Sequence, residues 1–365
     1  MKKKFKLIWF GPMVPQKYLK NWKSTSPAAV KWQKHLLNAL EKNKVDIEMV
    51  YYRAESYWPK GKLFPSNEFL KSDFKYKSKQ IKYINLPGFR NLSIRYSVNQ
   101  ILKKICYKNY EFPVIISYNA PSWMEILLRK EKIRSKFKCI YIVADTKIPK
   151  GADGYIFLSY YLFNKHKFIN KLHLDGAIYP KTESKLKKIN FNKTIFLYSG
   201  SFGKWAGLKL LLDSINLIKE EKFELWITGH GEDEFIKKAS RKDHRIKYLG
   251  FLSENQIQKI YNRADVFINT RLPKMPENNF NFPSKLFDYL AWNKPIISTW
   301  TKSLSPEYKN LLDIVEDDPL SIARAIQKYT KKKSYFKKNK NLLKKKWYNE
   351  GNKLINFLNE IVLKN

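Results

Sequence analysis

The sequence predicts an α/β protein of two doubly wound parallel sheets facing each other across a central cleft. Three observations predict it. Strand and helix signals alternate from end to end, as expected when helices cover both faces of a parallel sheet. The alternation stops once, in the polar and basic stretch 178–193, and then restarts, as it would at a domain linker. The chain has 365 residues, of which 44% are hydrophobic and 15% aromatic, enough to fill two cores.

In chain order, residues 5–10 read as a first buried strand. Ser26 and Pro27 then open a helix whose apolar positions Trp32, Leu36, Leu37 and Leu40 share one face. A second strand is expected at 45–52, followed by an irregular, basic and aromatic stretch over 53–80. Strands are expected at 81–86, 114–118, 139–143 and 155–158, and helices at 92–105, 122–129 and 159–168. In the second half the strands fall at 194–198, 223–228, 246–249, 266–269 and 295–298, with helices at 208–219 and 253–263 and a further one opened by Pro283. The strands of this half run into glycine or polar loops on one rim, the place where doubly wound sheets bind ligands. Residues 319–364 read as helices with a Lys-rich polar face. They are expected to close over the body, and a basic amphipathic helix on a membrane is the alternative. The expected division is 1–180, 181–335 and a closing helix at 336–365.

The net charge is +39. Residues 1–180 carry 35 Lys+Arg against 12 Asp+Glu, and residues 181–365 carry 36 against 20, so both halves are basic. Such a charge points to an anionic partner or to compositional bias toward lysine. The two cysteines, Cys106 and Cys139, have no metal or redox spacing and read as reduced thiols of a cytosolic protein. The apolar run at 7–10 is too short for a signal peptide, and no stretch reaches the ~18–20 apolar residues of a membrane span.

The most informative stretch is Phe282-Pro-Ser-Lys-Leu-Phe-Asp-Tyr-Leu-Ala291. Pro283 suits the start of a helix, and Asn293-Lys294-Pro295 stops it. The N–H groups and positive dipole end at Ser284 and Lys285 suit a diphosphate, and Asp288 lies deeper, placed to accept hydrogen bonds from a ribose. Leu286, Phe287, Leu290 and Ala291 are also what the core face of any such helix would show.

An ordered set of motifs surrounds this stretch: Tyr198-Ser-Gly-Ser…Gly207, Trp226-Ile-Thr-Gly-His-Gly231, Tyr248-Leu-Gly-Phe251, Tyr261-Asn-Arg-Ala-Asp-Val266 and Phe282-Pro-Ser-Lys-Leu-Phe-Asp288. Over 195–300 the chain resembles the GT-B glycosyltransferases of the family 4 type, the glycosyl transferases group 1. The resemblance is looser at Ser26-Pro-Ala-Ala29, Ser117-Tyr-Asn119, Ala152-Asp-Gly154 and Leu158-Ser159. It implies two Rossmann-like domains, a sugar nucleotide held mainly by the second, an acceptor held mainly by the first, retention of configuration, and no metal or other cofactor. Carried over by position, it implies donor contacts at Gly200, Ser201, Gly203, Gly229, His230, Gly231, Leu249, Phe251, Ser284, Lys285 and Asp288. Lys285, Lys204 and Asn119 are the implied catalytic residues, and Ser26, Ala28 and Ala29 the implied acceptor-side ones.

The departures from the family pattern are specific. The first of its two acids is replaced by Phe280, leaving Glu277, Asn279 or Asn281 to reach the sugar. Its diphosphate-clamping Arg and Lys fall near Ser201 and Ala206, so Lys204, Lys209 or Lys285 must supply that charge. Asn119 stands where many members carry a histidine.

For the acceptor, aromatics Trp22, Tyr57, Trp58, Phe64, Phe69, Phe74 and Tyr76 interleave with lysines in the first half. That pattern points to a peripheral enzyme at the cytoplasmic face of a membrane, acting on a lipid or lipid-linked glycan. A soluble saccharide acceptor, a sugar-nucleotide epimerase and a basic single-strand nucleic-acid binder are the alternatives, the last without any module motif in its favour.

Overall fold

A computed structural model of the chain describes residues 5–14, 26–52, 55–65, 75–106, 113–119, 125–126, 137–144, 148–179, 193–331 and 345–363. The expected linker at 178–193 and the expected helix at 122–129 lie almost wholly outside the described residues. The chain divides into two compact units. The first comprises 1–158, 163–176 and 347–365, and the second 159–162 and 177–346.

The first unit holds a seven-stranded sheet built from β1 (Lys6–Gly11), β2 (Asp46–Tyr51), β3 (Lys77–Gln80), β4 (Pro113–Tyr118), β5 (Lys138–Val143), β6 (Gly154–Phe157) and β7 (Lys171–His173). Their spatial order is β3-β2-β1-β4-β5-β6-β7, and every pairing is parallel. β1 is buried at every position, because helices cover both faces of a central parallel strand. Burial extends to charge: Lys6 donates to Glu48 at 2.9 Å, and Lys79 reaches the other carboxylate oxygen at 2.7 Å.

The strand expected at 81–86 forms instead at Lys77–Gln80, where it pairs with β2 along Glu48↔Lys77 to Tyr51↔Gln80. β3 is an edge strand, so alternating lysines suit it. Ile81 and Tyr83 are buried just beyond the strand, and the Ile81 N–H still donates to the Tyr51 carbonyl at 2.9 Å. The helix Trp347–Leu363 belongs to this first unit rather than standing apart as a closing segment. It lies against the helix Pro27–Lys42, with Trp347 edge-on to Trp32 at 6.0 Å and Gly351 so close that an added Cβ would sit 3.1 Å from Ala39 Cβ. Its apolar face, including Leu354, Phe357, Leu358 and Ile361, is therefore buried in protein and not presented to a membrane.

The second unit holds a six-stranded sheet of β8 (Thr194–Ser201), β9 (Phe223–His230), β10 (Ile246–Tyr248), β11 (Val266–Asn269), β12 (Ile296–Thr299) and β13 (Asp313–Val315). The order β10-β9-β8-β11-β12-β13 makes it doubly wound, with the chain leaving β8 in both directions. The switch point between β8 and β11 is where such sheets open a crevice at the strand ends. One core lies on each face, one around Phe196, Leu211, Ile227 and Ile322, the other around Leu197, Phe267, Leu286 and Tyr289. The helix Glu234–Lys242 was not apparent in the sequence, because Ile236 is its single buried residue and leaves too thin a stripe. Among the described residues no helix is long and apolar enough to cross a membrane.

Candidate functional site

β8 and β9 run further than expected, in register to Gly200↔Gly229 and Ser201↔His230. Glycine is required at 229: φ is 149°, and a Cβ there would sit 1.7 Å from the Gly200 carbonyl oxygen. The rim is stitched further by Thr228 Oγ1 donating to the Gly250 carbonyl at 2.7 Å and by the Gly229 N–H donating to the same oxygen at 3.2 Å. His230 and Phe251 are both exposed here, edge to face at 6.2 Å, and Leu249 is part-buried beside them. Gly231 packs on Phe202, whose N–H donates to the His230 carbonyl.

The helix Lys285–Ala291 is fixed to the end of β8 through Tyr289. The Ser199 N–H donates to the Tyr289 hydroxyl at 2.8 Å, and that ring stacks on Phe267 at 4.5 Å. Lys285 lies one helical turn earlier, hence on the same face. Its Nζ comes to rest 3.8 Å from the centre of the Tyr198 ring, and a Cβ on Gly200 would meet its Cδ at 3.5 Å. The Ser284 N–H already donates to the Phe282 carbonyl at 2.9 Å, and Ser284 is exposed without a side-chain cap. The positive character of the site therefore comes from the Lys285 side chain more than from the helix tip.

A second cation stands with it. Arg271 follows β11 at the switch point, is 8% exposed, and lies with its guanidinium 4.7 Å over the Trp205 ring. Its Nη1 donates to the Asn281 carbonyl at 2.8 Å, while its Nε is buried without a hydrogen-bond partner. Among the described residues neither Arg271 nor Lys285 has an acidic partner. Burial brings the Arg271 pKa down to about 10. Burial, with the charge of Arg271 added, holds Lys285 well below the ordinary lysine range, although part of its surface meets water. Two desolvated cations with no counter-ion among the described residues carry an energetic cost that an anionic ligand would relieve. Asn269 Oδ1, Asn278 Oδ1 and Asn279 Oδ1, all close in sequence to Arg271, are also buried without partners, so the polar lining is incomplete by itself.

The loop that bears Trp205 is held by two bonds from Asn278 Nδ2, to the Trp205 carbonyl at 2.8 Å and the Leu272 carbonyl at 2.9 Å. Ser201 accepts from the Gly203 N–H at 3.3 Å and is joined to Tyr198 by its carbonyl. Lys204 and Lys209 are exposed. Asp288 is part-exposed, and its charge is felt at the buried Tyr261 hydroxyl. Phe280, in place of an acid, meets Tyr161 at 5.8 Å, and the Ser159 hydroxyl donates to the Asn279 carbonyl at 2.6 Å, all within the second unit.

In the first unit Asn119 sits just past β4 with φ 47°, and its Oδ1 accepts from the Ala144 N–H at 2.8 Å. Ser26 is the exposed N-cap of the helix Pro27–Lys42, accepting from the Ala29 N–H at 3.4 Å, with Ala28 in the first turn. Both residues thus have local structural roles at their strand and helix ends. Arg271 is the residue missed in the sequence. A charged side chain directly after an apolar strand that borders the switch point was the available signal.

The two sheets define a fold class. Two parallel sheets of seven and six strands, each wound outward from its first strand, make a GT-B fold. Residues 193–332, all within the second unit, match the family model of the glycosyl transferases group 1. The probable glycosyltransferase WbjE of Pseudomonas aeruginosa is 25% identical over 223 residues, covering 55% of this chain and 54% of that protein. The chain thus matches about half the length of that relative. Over the full fold it is similar to the lipopolysaccharide outer core galactosyltransferase WaaB, with a TM-score of 0.64, 14% identity and coverage of 98% and 99% of the two chains. It is also similar to HepE of Anabaena in complex with UDP-glucose, with a TM-score of 0.58, 12% identity and 98% coverage of each chain.

Proposed function

We propose that the chain transfers a sugar from a nucleoside-diphosphate sugar to a hydroxyl acceptor, with retention of configuration. The observation that carries this reading is the Arg271–Lys285 pair at a topological switch point, two desolvated cations without acidic partners among the described residues, with Lys285 against Gly200. The bond from the anomeric carbon to the diphosphate oxygen breaks, and its electron pair leaves with the nucleoside diphosphate. The acceptor oxygen forms the new bond on the same face and passes its proton to the departing diphosphate oxygen. Negative charge grows on the departing oxygen, and Lys285 and Arg271 stabilise it there, without a metal ion. Asp288 holds the ribose hydroxyls, and the exposed His230–Phe251 pair borders the base.

HepE, crystallised with UDP-glucose, and WaaB, a lipopolysaccharide galactosyltransferase by name, support a sugar nucleotide as donor and a cell-envelope glycan as product. The strongly basic first half supports an acceptor carried on a lipid at an anionic membrane surface. The reading is tested by a thermal-shift screen of nucleoside diphosphates and their sugars, because a ligand that binds only the folded protein raises its melting temperature. The stabilising sugar nucleotide is then incubated with lipid extract in the presence of chelator. A glycolipid of retained anomeric configuration is expected. Conversion of the sugar nucleotide with no acceptor product would instead indicate an epimerase.

A further inference from the structure

We propose that residues 55–65 and 84–96 of the first unit form a preassembled docking surface for an anionic phospholipid membrane. Seven large side chains stand out of it: Tyr57, Trp58, Phe64, Ile84, Phe89, Leu92 and Tyr96. Phe89 is 63% exposed, Leu92 60% and Tyr96 68%, far more than the core of this unit requires of them. In the helix Arg90–Cys106 the core-facing positions Ile94, Val98 and Leu102 are buried, so Leu92 and Tyr96 belong to the opposite, outward side.

The two segments are bound into one platform. The Trp58 N–H donates to the Asn85 carbonyl at 3.1 Å, and the Asn85 N–H donates to the Leu63 carbonyl at 2.7 Å. The buried Asn85 amide bonds the Ser56 and Lys62 carbonyls at 2.7 and 2.9 Å. Arg90 donates to the Glu55 carbonyl at 2.8 Å and lays its guanidinium over Tyr57 at 4.9 Å and Tyr83 at 5.4 Å. The aromatics are thus displayed at little further entropic cost.

Charge complementarity names the occupant. Residues 55–106 carry 11 Lys+Arg against 3 Asp+Glu, and Lys60, Lys62 and Lys82 are exposed in or next to the platform segments. A fringe of lysines around aromatic side chains suits the headgroup region of an anionic leaflet, where each cation adds attraction and Trp and Tyr favour the interface. Apolar groups this dense on a surface mark an interaction site. The inference deepens the lipid-linked acceptor proposed above and rests on that reading for its purpose. The residues involved are separate from those assigned to the donor.

The test is co-sedimentation of the full chain with phosphatidylcholine vesicles, with and without phosphatidylglycerol, at rising salt. Wild-type protein should bind the anionic vesicles and leave them as salt rises. The exposed triple change Phe89→Ser, Leu92→Ser, Tyr96→Ser should lower partitioning at least tenfold, as should Lys60→Glu with Lys82→Glu, each with an unchanged melting temperature. Wild-type binding by either folded variant overturns the proposal. So does a wild-type dimer on sizing that the triple change converts to monomer without altering vesicle binding, which makes the surface a self-association face. Nucleoside-diphosphate shifts on the same samples keep the two readings separate: a retained shift with no vesicle binding sinks the docking surface alone.

Discussion

Lys285→Met removes one charge from the candidate site while keeping the aliphatic stem that lies against Gly200 and Tyr198. Among the described residues Lys285 has no acidic partner, and it feels the charge of Arg271. Losing it should therefore leave the melting temperature unchanged or raise it, a trade expected at a site held in readiness for a ligand. With a nucleoside diphosphate bound, the same change deletes a charge-assisted hydrogen bond worth roughly 1.5–3 kcal/mol. That corresponds to about 10- to 150-fold weaker binding at ~1.4 kcal/mol per decade. Titration calorimetry with UDP and GDP reads the change.

The pH dependence supplies an independent check. Burial and Arg271 lower the Lys285 pKa in the folded free protein, so the unfolded chain binds more protons between that lowered value and the ordinary ~10.4. Stability contributed by this group consequently rises with pH across that window, and below the window the cost of the buried charge is present in full. A bound diphosphate holds the proton on Lys285, so affinity should fall as pH rises through the lowered value. Lys285→Arg should shift that fall to higher pH. Diphosphate binding by Lys285→Met with wild-type affinity at every pH would refute the reasoning.

Three further outcomes follow from the same contacts. Asp288→Ala should abolish the thermal shift given by nucleoside diphosphates while leaving that of inorganic pyrophosphate, since the carboxylate is assigned to the ribose; equal loss of both contradicts the assignment. Gly229→Ala, blocked by the Gly200 carbonyl, should cost ~3 kcal/mol or more of stability, whereas Gly250→Ala, with φ 65° and open space around it, should cost only ~1 kcal/mol, both read by urea denaturation. Glu48 is buried, which would raise its pKa, but hydrogen bonds from Lys79 and Lys6 outweigh burial and lower it. Its stabilisation is complete above the ordinary value of about 4.3 and disappears as pH falls through the folded value. Glu48→Ala, which strips the buried Lys6 of its 2.9 Å partner, should cost roughly 3–5 kcal/mol by the same denaturation assay.

Much of the fold was legible because parallel strands buried on both faces read as apolar runs, as at 5–10, 139–143 and 266–269. Edge elements were less legible. β3 carries alternating lysines, and β7 and β13 are three residues long, so their pairing with a neighbour rather than their composition defines them. The last helix was recognised, but its place in the first unit depends on contacts more than three hundred residues apart in sequence, such as Trp32 with Trp347. In the candidate site, Lys285 was singled out by its position in the Pro-Ser-Lys run, and the Ser284 N–H expected to face a diphosphate donates to the Phe282 carbonyl. Arg271 escaped notice because its partner in charge is fourteen residues away. Lys285 feels the charge of Arg271 through the fold, with Tyr289 packed on Phe267 and Arg271 on Trp205.

The central claim is that a diphosphate is bound by Arg271 and Lys285. A crystal structure of the chain soaked with UDP or GDP tests it most directly. Phosphate oxygens within hydrogen-bonding distance of Lys285 Nζ and the Arg271 guanidinium, with the ribose against Asp288, are the expected result. A diphosphate seated elsewhere, with both cations untouched, would contradict it.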